Sequence, residues 1–480
     1  MKKIPFILSI FLIPFIGLGQ ELASGKVVRA DSGEPIPFVN IIITSLGKGT
    51  VSNEDGEFNF QIPAQATAEM EVVFSHIGFE LTQRKVADMG NVSLEIKLIP
   101  SEYDLDQAIV LDFSPKVILE RVKDSLISTQ YGQPHEMEVF YRELIWGNDT
   151  IQGMSRARGY LHSEGYQEKH ASKANVDGNQ YNMLSFDQIQ KSDYGIITTM
   201  TGGGRSSIGD GLFPKLIFRM WDFNVDWFDY ELLGGKKIGD RDVFVLAIKA
   251  KNSGVKRKAK KWGFSNYGLL EDAVFYIDQE DYGVHMMELR QRYEEEQEKS
   301  KYRRLIYVQK MREAVVKYQR NEAGDYLFTY VNYANHYTDY GYETEENPKV
   351  WKVKEYAELY AMDYEFVNLD KDQLREKYKM DVTGEAPNRS LHPHIEWYNG
   401  WIFIAGKARY HPEFWVNYNF PSCPNENNLE KQLSKKRPLE AQFASFTNKQ
   451  FYLFAELRKR HGMKDGYWAP RSFYSSGAEF

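Results

Sequence analysis

A chain of 480 residues exceeds what one ordinary hydrophobic core supports, so two to three domains are expected. Its single cysteine, Cys423, excludes internal disulfides, and 31 Tyr, 29 Phe and 9 Trp must supply the buried surface instead. A formal charge of −7 disfavours general nucleic-acid binding, and no nucleic-acid partner is expected.

Residues 1–20 read as a signal peptide. Lys2 and Lys3 precede an uncharged stretch from Ile4 to Gly19 that is rich in Ile, Leu and Phe, and small residues stand at Gly17 and Gly19. Pro5 and Pro14 interrupt the run, which is shorter than the roughly 20 residues a spanning helix needs, so a cleaved leader is expected rather than an anchor. No later stretch has membrane-spanning length without charge. The residue following the leader is not cysteine, so no N-terminal lipid anchor is expected.

Residues 21–99 show short apolar runs divided by turn residues. Val27-Val28 leads to Asp31-Ser32-Gly33-Glu34-Pro35, Phe38 to Thr44 is largely β-branched, and Asn53-Glu54-Asp55-Gly56 turns the chain into Phe58-Asn59-Phe60. Glu71 to Ser75, Phe79 to Val86 and Val92 to Leu98 continue the spacing, giving about seven strands and predicting a β-sandwich. Gly56 suits a positive φ, and Asn53, Asp55 and Glu57 stand at the spacing that opens a calcium loop, although a plain turn explains all three.

These blocks carry a family resemblance. Gly25-Lys26-Val27-Val28, Gly33-Glu34-Pro35-Ile36-Pro37-Phe38-Val39-Asn40-Ile41, Gly49 to Phe58 and Phe74-Ser75-His76-Ile77-Gly78-Phe79-Glu80 are similar to the carboxypeptidase regulatory-like domain of Bacteroidetes-type exported proteins. The resemblance implies a transthyretin-like sandwich and a non-catalytic appendage, and it covers this first domain only.

Residues 100–114 are acidic and read as a linker with one strand at Ala108 to Leu111. Residues 115–365 then form an antiparallel β-rich domain with an N-terminal helix. Ser114 caps that helix, Pro115 takes its first position, and Val117, Ile118, Val122, Leu126 and Ile127 share a face that docks on a sheet. The strands are Met137–Ile145, Val243–Ala250, Ala273–Ile277, Val284–Arg290, Arg304–Lys310, Val315–Arg320 and Tyr326–Tyr337, with hairpins at Asp278–Gly283 and Asn321–Asp325. The fold class is therefore mostly β, a seven-stranded sandwich followed by a larger antiparallel curved sheet or half-barrel with a few helices. The run Phe244–Ile248, Ala273–Asp278, Val284–Leu289 is similar to lipoprotein carriers of the LolA type.

Residues 366–480 are mixed helical and aromatic-rich, with helices at Lys371–Met380 and Asn427–Ser445. The block His411-Pro412-Glu413-Phe414-Trp415 with Leu439 to Phe443 resembles the tails of Bacteroidetes proteins that carry the same first domain.

Chemistry-bearing motifs are few. In Gly202 to Gly211 an acidic Asp210 stands where a Walker loop needs Lys and then Ser or Thr, so a plain loop is expected. His135 and Glu138 have the H-x-x-E spacing of two zinc ligands but lie in a strand pattern without a third. His392 and His394 share one side of an extended segment with Glu396, which makes these three the metal candidate, with His411 as a fourth ligand. Lys249, Lys251, Lys256, Arg257, Lys258, Lys260 and Lys261 cross a hairpin tip that ends in Trp262, a solvated loop or a contact for anionic headgroups. No G-x-S-x-G elbow or H-E-x-x-H motif occurs, and no cofactor is expected. The reading is a non-enzymatic exported protein of the periplasm or outer membrane that binds an envelope protein, a glycan or a lipid. Its alternatives are a metal-dependent hydrolase and a LolA-like lipid or lipoprotein carrier.

Overall fold

The computed structural model describes nearly all of residues 22–101, 111–163, 182–193, 228–251, 270–292, 307–339, 351–362, 395–404 and 410–445. The first domain holds seven strands: β1 (Leu22–Arg29), β2 (Asn40–Ile43), β3 (Lys48–Val51), β4 (Glu57–Gln61), β5 (Glu71–Ser75), β6 (Thr82–Lys85) and β7 (Ser93–Leu98). They form two sheets, ordered β4-β1-β7 and β3-β2-β5-β6, as the sandwich pattern predicts. Ala23, Val27, Ile41, Phe58, Phe60, Val72, Phe74 and Ile96 meet between them. Such packing contributes roughly 1.5–3 kcal/mol for each large aliphatic or aromatic side chain buried.

The turn before β4 shows why its residues are there. Gly56 has φ +75°, and a Cβ on it would lie 2.5 Å from the Val27 carbonyl oxygen. Asn53 Oδ1 accepts the N–H groups of Asp55 at 2.9 Å and Glu57 at 2.8 Å. That side-chain oxygen closes an Asx turn, which accounts for the Asn53, Asp55, Glu57 spacing without a cation.

Helix α1 (Lys116–Thr129) begins where Ser114 Oγ accepts the Lys116 N–H at 3.4 Å. After it come β8 (His135–Gly147), β9 (Thr150–Ser163), β10 (Asn182–Lys191), β11 (Phe228–Ile238), β12 (Arg241–Ala250), β13 (Leu270–Asp278), β14 (Val284–Arg292), β15 (Tyr307–Arg320), β16 (Tyr326–Asp339) and β17 (Trp351–Ala361). These ten strands form one antiparallel sheet, β11-β12-β13-β14-β15-β16-β17-β8-β9-β10. It is extended by β19 (Trp401–Ile404), parallel to β10, and by β18 (Ile395–Tyr398). The sheet is open, with β11 and β18 at its edges. The pattern split β15 in two at Met311 and passed over β9, β10, β11 and β17. The expected strand at 108–111 lies outside the described residues except for Leu111, which is not in a strand, and the expected helix at 371–380 lies outside them altogether.

Alternation gives the sheet two working faces. One carries Met137, Val139, Tyr141, Leu246, Phe275, Met287 and Leu359, and α1 lays Ile118, Leu119, Val122 and Leu126 against them. Those four helix residues are buried, as the amphipathic pattern requires, and Val117 is half-buried. The other face receives the first domain and a C-terminal segment made of α2 (Pro412–Asn417), α3 (Glu426–Leu433) and α4 (Leu439–Ala444). The single helix expected over 427–445 is thus two, separated by Pro438, the residue that precedes α4.

The first domain is seated on the sheet. Pairing register aligns Phe140, Tyr360, Tyr330, Lys317, Met286 and Tyr276 in one row across β8, β17, β16, β15, β14 and β13. Over this row the Phe38 ring stacks on Tyr330 with centroids 5.0 Å apart and Lys317 Nζ donates to the Phe38 carbonyl at 2.6 Å, while farther along the sheet the Gly78 N–H donates to the Lys237 carbonyl of β11 at 2.9 Å. Phe38 holds φ +57°, a left-handed conformation that a bulky residue keeps only where its surroundings fix it.

Burial pushes the Lys317 ammonium down to about 7 from 10.5. The folded chain therefore declines a proton that the unfolded chain accepts, and this opposes folding more strongly as pH falls through that window. Stability is expected to climb between about pH 7 and pH 10, and Lys317→Met to flatten the climb. Urea midpoints across the range check this, and an equally steep climb in the variant would contradict it.

Candidate functional site

Two further rows lie beside the one that the first domain covers. The first runs Arg142, Glu358, Asn332, Val315, Glu288, Val274 and the second Leu144, Tyr356, Ala334, Glu313, Arg290, Asp272, each crossing the six strands from β8 to β13. Trp146, Lys354 and His336 begin a third. These rows floor a trough of about 850 Å³. Its walls are the Asn53–Glu54 turn of the first domain on one side and Cys423, Asn428 and Leu429 of the C-terminal segment on the other. Six neighbouring strands span about 24 Å at the usual ~4.8 Å separation. Short side chains at Ala334, Asn332, Val315 and Val274 keep the floor low.

The charged groups are arranged unevenly. At the β8 end Arg142 Nη2 pairs with Glu358 Oε1, and both side chains are almost wholly buried. Glu358 Oε2 accepts hydroxyl hydrogen bonds from Tyr360 at 2.8 Å, Tyr356 at 2.9 Å and Tyr330 at 3.3 Å. Burial raises all three phenols well above the ordinary tyrosine value, with the Glu358 charge adding to it, so they remain donors at any physiological pH. Partial burial and then the Glu358 charge raise Glu54. Burial and then Lys354 lower His336. At the β13 end Arg290 lies 3.3 Å from Glu313 and 3.6 Å from Asp272, and Glu288 accepts the Tyr276 hydroxyl at 2.9 Å.

Two arginines clip the C-terminal segment to the same face, and a third ties the strands beneath it. Arg142 Nη1 donates to the Pro421 carbonyl at 2.7 Å, and Arg156 Nη2 to Glu430 at 2.7 Å while its guanidinium lies over the Phe420 ring. Arg158 bridges Glu138 at 2.7 Å and Asp187 at 2.5 Å in the strands beneath. Phe420 stacks on Phe140 with centroids 5.1 Å apart, and Trp415 is buried beside them.

The motifs picked out from sequence are elsewhere. His135 and Glu138 occupy opposite faces of β8: His135 Nδ1 contacts the Gln133 carbonyl at 2.8 Å, and Glu138 serves Arg158. His76 Nδ1 contacts the carbonyl of its neighbour Ile77 at 2.9 Å. His411 Nδ1 meets Gln188 Oε1 at 2.9 Å, directly before α2. His392 and His394 lie outside the described residues, as do Gly202 to Gly211 and the basic run beyond Lys251; Glu396 falls in β18, with its side chain undescribed. Among the described residues, no group of three or more His, Cys, Asp or Glu is placed to hold a metal ion, and no helix is long and apolar enough to cross a membrane. The trough itself escaped the sequence reading because β17, which supplies Lys354, Tyr356, Glu358 and Tyr360, was not recognised. Its alternation, Tyr356-Glu358-Tyr360 against Val353, Ala357 and Leu359, was the available signal.

Residues 23–110 match the CarboxypepD_reg-like domain, in agreement with the blocks that resemble it. TonB-dependent receptor P3 of Formosa agariphila is 24% identical over 159 residues, 33% of this chain but only 15% of the receptor. A putative outer membrane lipoprotein-sorting protein domain from Vibrio parahaemolyticus is 11% identical with a TM-score of 0.26, aligning 55% of this chain with 99% of its own. A LolA superfamily protein from Nitrosomonas europaea is 12% identical with a TM-score of 0.21 over 55% of this chain and 99% of its own. Likenesses this loose carry no argument about function.

Proposed function

We propose that this chain, a carboxypeptidase regulatory-like domain joined to a large open sheet, is a non-enzymatic module of the cell envelope that holds a polar, chain-like ligand in the trough. The observation that carries this reading is the trough's construction: the first domain, six strands and the C-terminal segment each supply a wall or floor. The first domain then acts as part of the binding site rather than as a tethered appendage. A floor of Asn332, Glu288, Glu313 and Arg290 among short apolar residues fits hydrogen-bonding ligands better than an acyl chain, which leaves charged groups dehydrated and unpaired. The buried Glu358 is held by Arg142 and three hydroxyls, a positioning arrangement rather than a nucleophile beside a base. Export by the residue 1–20 leader is part of this proposal, as is a place at the periplasmic side or outer membrane.

Ala334→Trp tests it by filling the floor without changing charge. Calorimetric titration of the purified chain with short peptides, neutral oligosaccharides and dodecanoate is expected to find a polar ligand whose affinity falls at least tenfold, about 1.4 kcal/mol, in the variant. Saturable dodecanoate binding that Ala334→Trp leaves intact, with every polar ligand inert, would reject the proposal in favour of the carrier alternative.

A further inference from the structure

Resting on that reading, we infer that the trough takes an extended, basic polypeptide segment of a partner protein, with lysine or arginine side chains laid along its floor. Size sets the first condition. A floor about 24 Å long accommodates roughly seven residues of extended chain at 3.3–3.6 Å each, and its two rows of floor side chains, about 7 Å apart, leave room for a single strand.

Charge sets the second. Glu54, Asp272, Glu288, Glu313 and Glu358 line the trough against Arg142, Arg290 and Lys354. Arg142 is engaged with Glu358, and Arg290 is divided between Glu313 and Asp272. The field along the trough is therefore negative, and low-dielectric walls focus it. An anionic chain is repelled and a neutral one gains nothing from it.

Side-chain shape sets the third. Val274, Val315 and Ala334 lie between the carboxylates, so a ligand cation needs a long apolar stem to rest on them and a charged head at its end. Lysine and arginine have that form, and short amines do not.

The test uses a fluorescently labelled peptide of six lysines and the purified chain. Anisotropy at low salt is expected to show binding that weakens about tenfold or more in Glu54→Gln/Glu288→Gln and is lost in Ala334→Trp. Added salt should weaken it further. Glu69→Gln/Glu95→Gln, which removes two exposed carboxylates from the first domain, controls for general attraction to an acidic protein and should leave it unchanged. Melting profiles matching wild type certify that each variant folds. Equal losses in the control pair, or a neutral oligosaccharide that Ala334→Trp displaces while hexalysine fails to bind, overturns the inference; the second result leaves the trough reading standing. If neither ligand responds to Ala334→Trp, both fall.

Discussion

Asp278→Ala is expected to cost about 3–5 kcal/mol, the loss that follows when one partner of a buried ion pair is removed and the other stays behind. Asp278 ends β13 with a fully buried side chain. Arg241 grips it twice, Nε at 2.5 Å and Nη2 at 2.6 Å, His285 Nε2 lies 3.1 Å away, and the Glu280 N–H donates to it at 2.9 Å. The next carboxylate continues the network, since Asp281 accepts the Tyr326 hydroxyl at 3.0 Å and Arg320 Nε at 2.9 Å. Tyr326 in turn fills the space beside Gly283, where an added Cβ would fall 2.0 Å from its ring. The substitution leaves Arg241 and His285 facing a cavity and loosens the β13–β14 hairpin, whose Tyr282 hydroxyl accepts a hydrogen bond from Arg121 of α1. A lower melting temperature, by about 10 °C at 2–4 °C per kcal/mol, and protection lost first from the 278–285 amides would show it. The pH dependence supplies a second check. Burial alone would raise the Asp278 carboxyl, but the hydrogen bonds from His285 and Arg241 override it and hold the group far below its ordinary value. Its contribution is therefore complete above about pH 4 and fades only as acid pulls the folded state through that depressed value. The variant should lose this part of the acid slope. A melt within 1 °C of wild type would show that the network is incidental.

This hairpin was legible from sequence because turn chemistry is local. Asp278 to Gly283 announced a reversal between two β-rich runs, and Asn53 to Gly56 did the same in the first domain. The α1 stripe was legible for a similar reason, with its period visible inside fourteen residues. What stayed hidden depends on pairing between distant stretches. Arg142 and Glu358 are separated by more than two hundred positions and meet only because β17 closes beside β8 across eight intervening strands of sequence. Arg142 is a charged residue in a strand read for its apolar positions, and Glu358 sits in a stretch not read as a strand, so each looks like a solvent-facing residue until the register is known. The C-terminal segment that covers them was read as a separate region for the same reason. Nothing local in Pro421 or Glu430 says that Arg142 and Arg156 will reach them.

That long-range pair makes the second large prediction. Arg142→Met removes the counter-ion of a buried Glu358 that keeps only its three tyrosine hydroxyls, and about 3–5 kcal/mol of stability is expected to go with it. The arginine also donates to the Pro421 carbonyl, so the loss should be concentrated in the C-terminal segment. Trypsin should cut the variant early at Lys431 or Lys435, in and directly after α3, where the folded backbone resists the protease until the segment opens. Adding Glu358→Gln to the same chain removes the stranded charge while keeping an oxygen for the tyrosines. The double variant should therefore recover part of the stability that Arg142→Met loses, a coupling on the order of 1–3 kcal/mol. Equal melts for the single and double variants would mean that the two charges do not sense each other. The trough would then lack the fixed end on which its proposed use depends, because Glu358, Tyr356 and Tyr360 are at once the anchor of the C-terminal wall and the floor beneath it.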